Sequence, residues 1–125
     1  MQENKVTHEE MQQLPYIIAV DFDGTLVEDA FPEIGKKREW VWENVRKAQA
    51  EGAKIILWTS RDNGRLKDAV EFCTNNGLHF DAINDNLDEC KVLFNNDTRK
   101  VFANEYWDDK AVALFCEKRM PCGED

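Results

Sequence analysis

Asp21-Phe22-Asp23-Gly24-Thr25-Leu26, entered directly from Tyr16-Ile17-Ile18-Ala19-Val20, is the stretch whose reading decides the fold. The run before it is short and apolar, the pattern of a strand buried on both faces of a parallel sheet. Side chains alternate along a strand, so Asp21 and Asp23 leave it on the same face. Gly24 permits a sharp turn away. Ligands of open α/β sheets bind just beyond the carboxyl ends of the strands. Two carboxylates there repel each other unless a cation, a proton or a cationic side chain lies between them.

Outward from this stretch, strand and helix patterns alternate. Residues 27–35 read as a short loop marked by Pro32 and Gly35. Ile34, Val41, Val45 and Ala48 fall on one stripe, which predicts a helix over 36–51 capped by Gly52. Trp40 and Trp42 cannot share one helix face at that spacing, so at least one belongs at the edge. Both read as packing residues rather than a cofactor box. Residues 53–58 form a second buried strand ending in Thr59-Ser60-Arg61. Asp62 suits the cap of a helix over 64–76, with Leu66, Val70 and Cys73 inward and Gly77 as its stop. A weak third strand falls at 80–84, then a turn at Asn84-Asp85-Asn86. Residues 87–99 show no clear pattern beyond an exposed tip at Asn95-Asn96-Asp97. A fourth strand lies within 101–107 and ends at Asp108-Asp109. A helix is expected from Lys110 to about Met120, with Val112, Phe115 and Cys116 inward. Thr7 stands three residues before Glu10, the spacing of a capping box, in a polar leader of residues 1–14. Residues 15–125 then form one α/β domain: a doubly wound, Rossmann-like parallel sheet with helices on both faces.

Composition narrows the function classes. The chain has 125 residues, room for one domain with a real core. No apolar run is long enough to cross a bilayer, and the polar N-terminus lacks a signal pattern, so a cytoplasmic protein is the default expectation. The net charge of −9 argues against strong nonspecific binding to long nucleic acids, which needs a basic surface. An acidic chain that handles phosphate needs a cation at its site. Cys73, Cys90, Cys116 and Cys122 have no C-x-x-C spacing, and Cys73 and Cys116 read as reduced core thiols. His8 and His79 are isolated and read as surface residues. Lys36-Lys37-Arg38 reads as a solvated helix start.

Three of the four strand ends carry groups suited to phosphate chemistry, and a parallel sheet brings such ends to one edge. Carboxylate and carbonyl oxygens are the ligands of Mg²⁺, which also takes substrate phosphate oxygens. Asp21 is suited to attack phosphorus and form an aspartyl-phosphate. Asp23 is suited to protonate the leaving oxygen and then activate water. Thr59 and a nearby backbone N–H suit the phosphoryl oxygens, with Ser60 and Arg61 beside them. Lys100 suits the charge on the nucleophile and the transferring group, with Lys110 and Lys91 as competitors. Such preorganised contacts are worth about 3–4 kcal/mol each in comparable sites.

These residues resemble the motifs of the haloacid dehalogenase superfamily of phosphohydrolases, along nearly the whole chain. Asp21-Phe22-Asp23-Gly24-Thr25-Leu26 matches the first motif, D-x-D-G-T-L, in full. Leu57-Trp58-Thr59-Ser60 fits the second, Lys100 the third and Asp108-Asp109 the fourth. The resemblance implies Asp21 as nucleophile and Asp23 as acid/base. It implies Mg²⁺ held by the Asp21 carboxylate, the Asp23 backbone carbonyl and Asp108, with Asp109 as direct or outer ligand. The segments after Asp23 and before Lys100 are too short for a large cap domain, so the chain resembles small capless members. These often act on polymer-end phosphates or close their site by oligomerising. Asn104 departs from the Asp of small relatives.

The expectation is therefore a Mg²⁺-dependent phosphatase for a phosphorylated small molecule or a polymer end. A nucleotide or nucleic-acid-end phosphatase is the alternative among enzymes. A catalytically idle binding module on the same scaffold is the alternative of another class. Asp21 and Asp23 as solvated turn acids, Arg61 as a surface or capping arginine, and Asp108-Asp109 as a helix cap are the structural readings of the same residues. The homo-oligomeric state stays open.

Overall fold

A computed structural model describes residues 6–114. The elements are α1 (His8–Gln12), β1 (Ile17–Val20), α2 (Glu39–Ala50), β2 (Lys54–Leu57), α3 (Asn63–Asn75), β3 (Ala82–Ile83), α4 (Asp88–Phe94) and β4 (Glu105–Trp107). All strand pairs are parallel, in the order β3-β2-β1-β4. From β1 the chain steps outward to β2 and β3, then returns to place β4 on the far side of β1. The topological switch point thus lies between β1 and β4, where such sheets bind ligands. Among the described residues no second domain stands over these strand ends, and no helix is long and apolar enough to cross a membrane.

All four residues of β1 are fully buried, as a central strand covered on both faces requires. Ile18 and Val20 face one core with Val41, Trp42 and Val45 of α2 and Ala69 and Cys73 of α3. Ile17 and Ala19 face a second core with Leu87, Cys90 of α4 and Val101. Helices cover both faces, as expected.

The individual elements follow from local chemistry. Thr7 and Glu10 form the reciprocal capping box that their spacing predicts. Helix α2 ends in a Schellman turn: Gly52 has φ +101°, its N–H reaches Gln49 O at 3.0 Å, and Ala53 N–H reaches Ala48 O at 2.9 Å. The helix starts at Glu39 rather than 36 because the residues before it are already paired. Lys37 bridges Val27, Glu28 N–H donates to Lys36 O at 2.8 Å, and Arg38 N–H donates to Leu26 O at 2.9 Å. Trp42 is fully buried and Trp40 lies at the edge, 39% exposed. Asp62 occupies the N-cap position of α3, although its side chain makes no capping bond. In α3, Ala69 and Cys73 are buried outright, whereas Leu66 and Val70 are half-buried.

Three expectations need correction. Helix α4 occupies part of the 87–99 segment, where no element is legible in the sequence; it ends at Asn95 with φ +52°. Strand β3 spans only two residues, because the Asp81 carboxylate takes the Ile55 N–H at 2.8 Å in addition to the backbone bond between Asp81 N–H and Ile55 O. No helix begins at Lys110: residues 110–114 are irregular, and Val112 is 80% exposed instead of inward. Phe115, Cys116, Met120 and Cys122 lie outside the described residues, as does most of that expected helix.

Trp42 ties the first loop to the core. Its Nε1–H donates to Leu26 O at 2.7 Å, and its ring meets Phe72 edge-on at 6.1 Å. Trp42→Ala is expected to lower unfolding stability by about 3–5 kcal/mol, read from urea midpoints at constant slope. A loss under about 1 kcal/mol would show that the ring is not part of the rigid core.

Candidate active site

The parallel ladder carries the chain directly into the site. Val20 pairs with Leu57 on one side and Trp107 on the other. The next step continues both ladders: Asp21 N–H donates to Trp107 O at 2.9 Å, and Trp58 N–H donates to Val20 O at 2.9 Å. Asp21 therefore emerges beside Asp108. Behind it, Phe22 O accepts the N–H groups of Thr25, Leu26 and Val27, which turns the chain sharply.

Gly24 makes room for the second acid. It has φ +87°, and a Cβ there would collide with the Asp109 carboxylate. Asp109 is held against this turn by its own N–H, which donates to the buried Thr25 hydroxyl at 3.0 Å. One carboxylate oxygen each from Asp21, Asp108 and Asp109 lie within 4.8 Å of one another. Three hard oxygen donors at the switch point fit Mg²⁺ in kind, with positions left over for water and a phosphate oxygen. Burial pushes the Asp21 carboxyl up to about 7. The Phe22 N–H opposes that shift, while the negative charges of Asp108, Asp109 and Asp23 add to it.

Asp23 takes a different place. Both its oxygens accept from Arg61, at 2.7 Å from Nε and 2.8 Å from Nη2. The Arg61 side chain is 1% exposed. It also donates to Glu33 O at 2.9 Å and Arg65 O at 3.3 Å, and it lies between the rings of Phe22 and Phe31 at 5.0 and 5.1 Å. A buried guanidinium is tolerable only with partners of this number and geometry. Arg61 is thus turned toward Asp23 and the 31–33 loop, not toward an open phosphate position as the sequence suggested. The Asp23 carboxylate accordingly stands outside the acidic cluster.

Asp21, Asp23, Asp29, Phe31, Trp58, Thr59, Ser60, Arg61, Asn84, Asp108 and Lys110 line one cleft of about 780 Å³. Thr59 is fixed by two bonds: its N–H donates to Asn84 Oδ1 at 2.8 Å, and its hydroxyl accepts Arg61 N–H at 3.1 Å. The Thr59 N–H is therefore engaged within the protein. Ser60 is exposed at the rim.

Lys100 does not join the cleft. Its ammonium lies 4.9 Å from the centre of the Tyr106 ring, and it lines a separate cleft of about 490 Å³ with Phe94 and Phe102. The reason is the burial of Val101 in the second core, which carries this segment under the opposite face of the sheet. Lys91 is held by Asp85 at 2.8 Å. Lys110 does line the acidic cleft, with Nζ 3.6 Å from Asp109 Oδ2.

Sequence reading missed Asp29, Phe31, Trp58 and Asn84 in the cleft wall. Asn84 was within reach, since it follows β3 as Thr59 follows the second strand. The 29–31 loop carries no periodic signal. Asn104 proves structural: its N–H donates to Ile17 O at 2.7 Å and its Oδ1 accepts Ile17 N–H at 2.8 Å. A carboxylate oxygen can accept that same bond, so Asn there leaves the acidic cluster untouched.

The solved structure of a conserved protein from Bacteroides thetaiotaomicron matches this chain with a TM-score of 0.69 and 38% sequence identity, over 77% of each chain. The chain belongs to the family of that protein. No protein-family model and no curated protein matches it. The family fold is therefore the parallel α/β sheet described above.

The raised Asp21 value gives a pH signature with a definite sign. Between the ordinary carboxyl range and about pH 7 the folded chain holds a proton at Asp21 that the unfolded chain has released, so this group's contribution to stability falls as pH rises through that window. With divalent ions chelated, Asp21→Asn is expected to gain melting temperature over the wild type at pH 8 and to lose that advantage near pH 4. Parallel melting curves for the two proteins across the range would contradict the shift.

Proposed function

We propose that this chain is a Mg²⁺-dependent phosphohydrolase of the haloacid dehalogenase type, acting on phosphomonoesters through an aspartyl-phosphate. The observation that carries the reading is the cluster of Asp21, Asp108 and Asp109 at the switch point between β1 and β4, opening into a cleft. Repulsion among three carboxylates this close is a standing cost unless a cation offsets it. When bound, Mg²⁺ supplies charge neutralisation for the incoming phosphate.

In this reading the Asp21 carboxylate attacks phosphorus as the bond to the leaving oxygen breaks. Asp23 gives its proton to that oxygen, then takes one from the water that cleaves the aspartyl-phosphate, which frees phosphate and restores Asp21. For Asp23 to do this, at least one of its two bonds to Arg61 must open. Thr59, through its hydroxyl, and Ser60 lie in the cleft wall to receive the phosphoryl oxygens. The cleft is broad and no cap domain covers it in the described residues, which suits a small phosphorylated molecule or a polymer-end phosphate, including a nucleotide or nucleic-acid end.

One observation favours the alternative of a catalytically idle binding module. Arg61 occupies both oxygens of Asp23, so neither is free to reach a leaving oxygen while both bonds stand. Turnover separates the two readings. Hydrolysis of p-nitrophenyl phosphate is expected with Mg²⁺, to vanish on chelation and to fall at least about a thousandfold in Asp21→Asn. Hydrolysis that survives in Asp21→Asn excludes the aspartyl-phosphate route. A wild-type protein with no turnover on aryl, nucleoside or oligonucleotide-end phosphates favours the module.

A further inference from the structure

We propose that Lys110, the residue directly after the acidic pair, is the cation that contacts the phosphoryl group in this site. The inference rests on the phosphohydrolase reading and decides within it among the three lysines the sequence left in competition, Lys100, Lys110 and Lys91. A dianionic phosphate entering this cleft meets the side chains of Asp21, Asp23, Asp29 and Asp108 in its walls. Among the described lining residues the cations are Arg61 and Lys110. Arg61 is committed: its guanidinium serves both oxygens of Asp23 and two backbone carbonyls, and it is buried between two rings. Lys110 is not committed in this way. Its side chain is 73% exposed, and its ammonium lies 3.6 Å from Asp109 Oδ2, beyond hydrogen-bond distance. An exposed pair of this kind is weak and readily exchanged for a better anion.

The backbone directs the side chain to this place. Asp109 is held by the Thr25 hydroxyl through its N–H, and Lys110 N–H donates to Asp108 Oδ1 at 2.9 Å. These two bonds fix the turn that launches the Lys110 side chain at the cleft lined by Asp21. The competing lysines are placed elsewhere by equally specific contacts. Lys100 stacks over Tyr106 on the opposite face, and Lys91 is bonded to Asp85. An ammonium on a flexible stem suits a ligand that arrives, reacts and leaves.

The test compares Lys110→Ala, Lys110→Arg and Lys100→Ala with the wild type, each checked for a native circular dichroism spectrum. Binding of inorganic phosphate in the presence of Mg²⁺ is measured by calorimetry, and p-nitrophenyl phosphate kinetics are run alongside. Lys110→Ala is expected to weaken phosphate binding about tenfold or more and to raise KM, while Lys110→Arg recovers to within about threefold of the wild type. Phosphate affinity unchanged in Lys110→Ala overturns the proposal. So does a loss that appears in Lys100→Ala instead, an arginine variant no better than the alanine variant, or a wild-type protein that binds no phosphate. Phosphate binding that depends on Lys110 without any turnover upholds the contact and removes the phosphohydrolase reading, so the two failures are distinguishable.

Discussion

The site depends on one backbone bond, from Asp21 N–H to Trp107 O. It extends the β1–β4 ladder one residue beyond its last side-chain pair and so sets Asp21 against Asp108. Every later feature follows from that forced neighbourhood. Two acids from distant parts of the chain meet where the connection order of the sheet reverses. Gly24 then yields the space that admits Asp109, which the Thr25 hydroxyl holds in place. The price is electrostatic: burial and like charges together raise Asp21 well above an ordinary carboxyl. A sheet that only needed to be stable would not gather carboxylates at this point.

Asp23 and two cations, Arg61 and Lys110, complete the setting. Arg61 holds Asp23, and through Glu33 O and the Phe31 ring it also holds the loop that forms one wall of the cleft. A buried guanidinium with fewer partners would be a liability. Here it links the first turn, the loop and the start of α3 into one unit. Asp23 is thereby oriented as firmly as Asp21, but by a side chain rather than by a strand. Lys110 lines the same cleft, exposed and 3.6 Å from Asp109 Oδ2. One cation is buried among fixed partners and the other is exposed with, among the described residues, a single ion-pair partner within 4 Å.

The parts of this arrangement that were legible in the sequence are those written in short-range patterns. The apolar run before Asp21, the glycine stops at Gly52 and Gly77, and the capping box at Thr7 each encode their element within a few residues. Strand-end logic found Asp21, Asp23, Thr59, Ser60, Asp108 and Asp109, and the fold brings all of these to one edge. What failed depends on long-range contacts. Whether Lys100 or Lys110 reaches the cleft is decided by the burial of Val101 under the far face, which no local pattern around either lysine reports. Arg61 and Asp23 are 38 residues apart in sequence, and their bond is invisible until α3 is docked. Helix α4 was missed because Cys90 is its one fully buried residue, so it has almost no apolar stripe to read.

The loop over 28–37 walls the cleft where the described residues form no cap domain. Gly35 packs against Glu28 O so closely that any Cβ would collide with it, and Lys37 bridges back to Val27. The loop is therefore folded onto its own base and anchored before it reaches Asp29 and Phe31. Those two residues are delivered to the cleft as a fixed edge, with Phe31 still 57% exposed. That edge bounds the approach to Asp21 from one side of the cleft. Beyond that edge the cleft wall changes character, because the aromatic side chains of Phe31 and Trp58 and the amide of Asn84 line it alongside the carboxylates of Asp21, Asp23, Asp29 and Asp108.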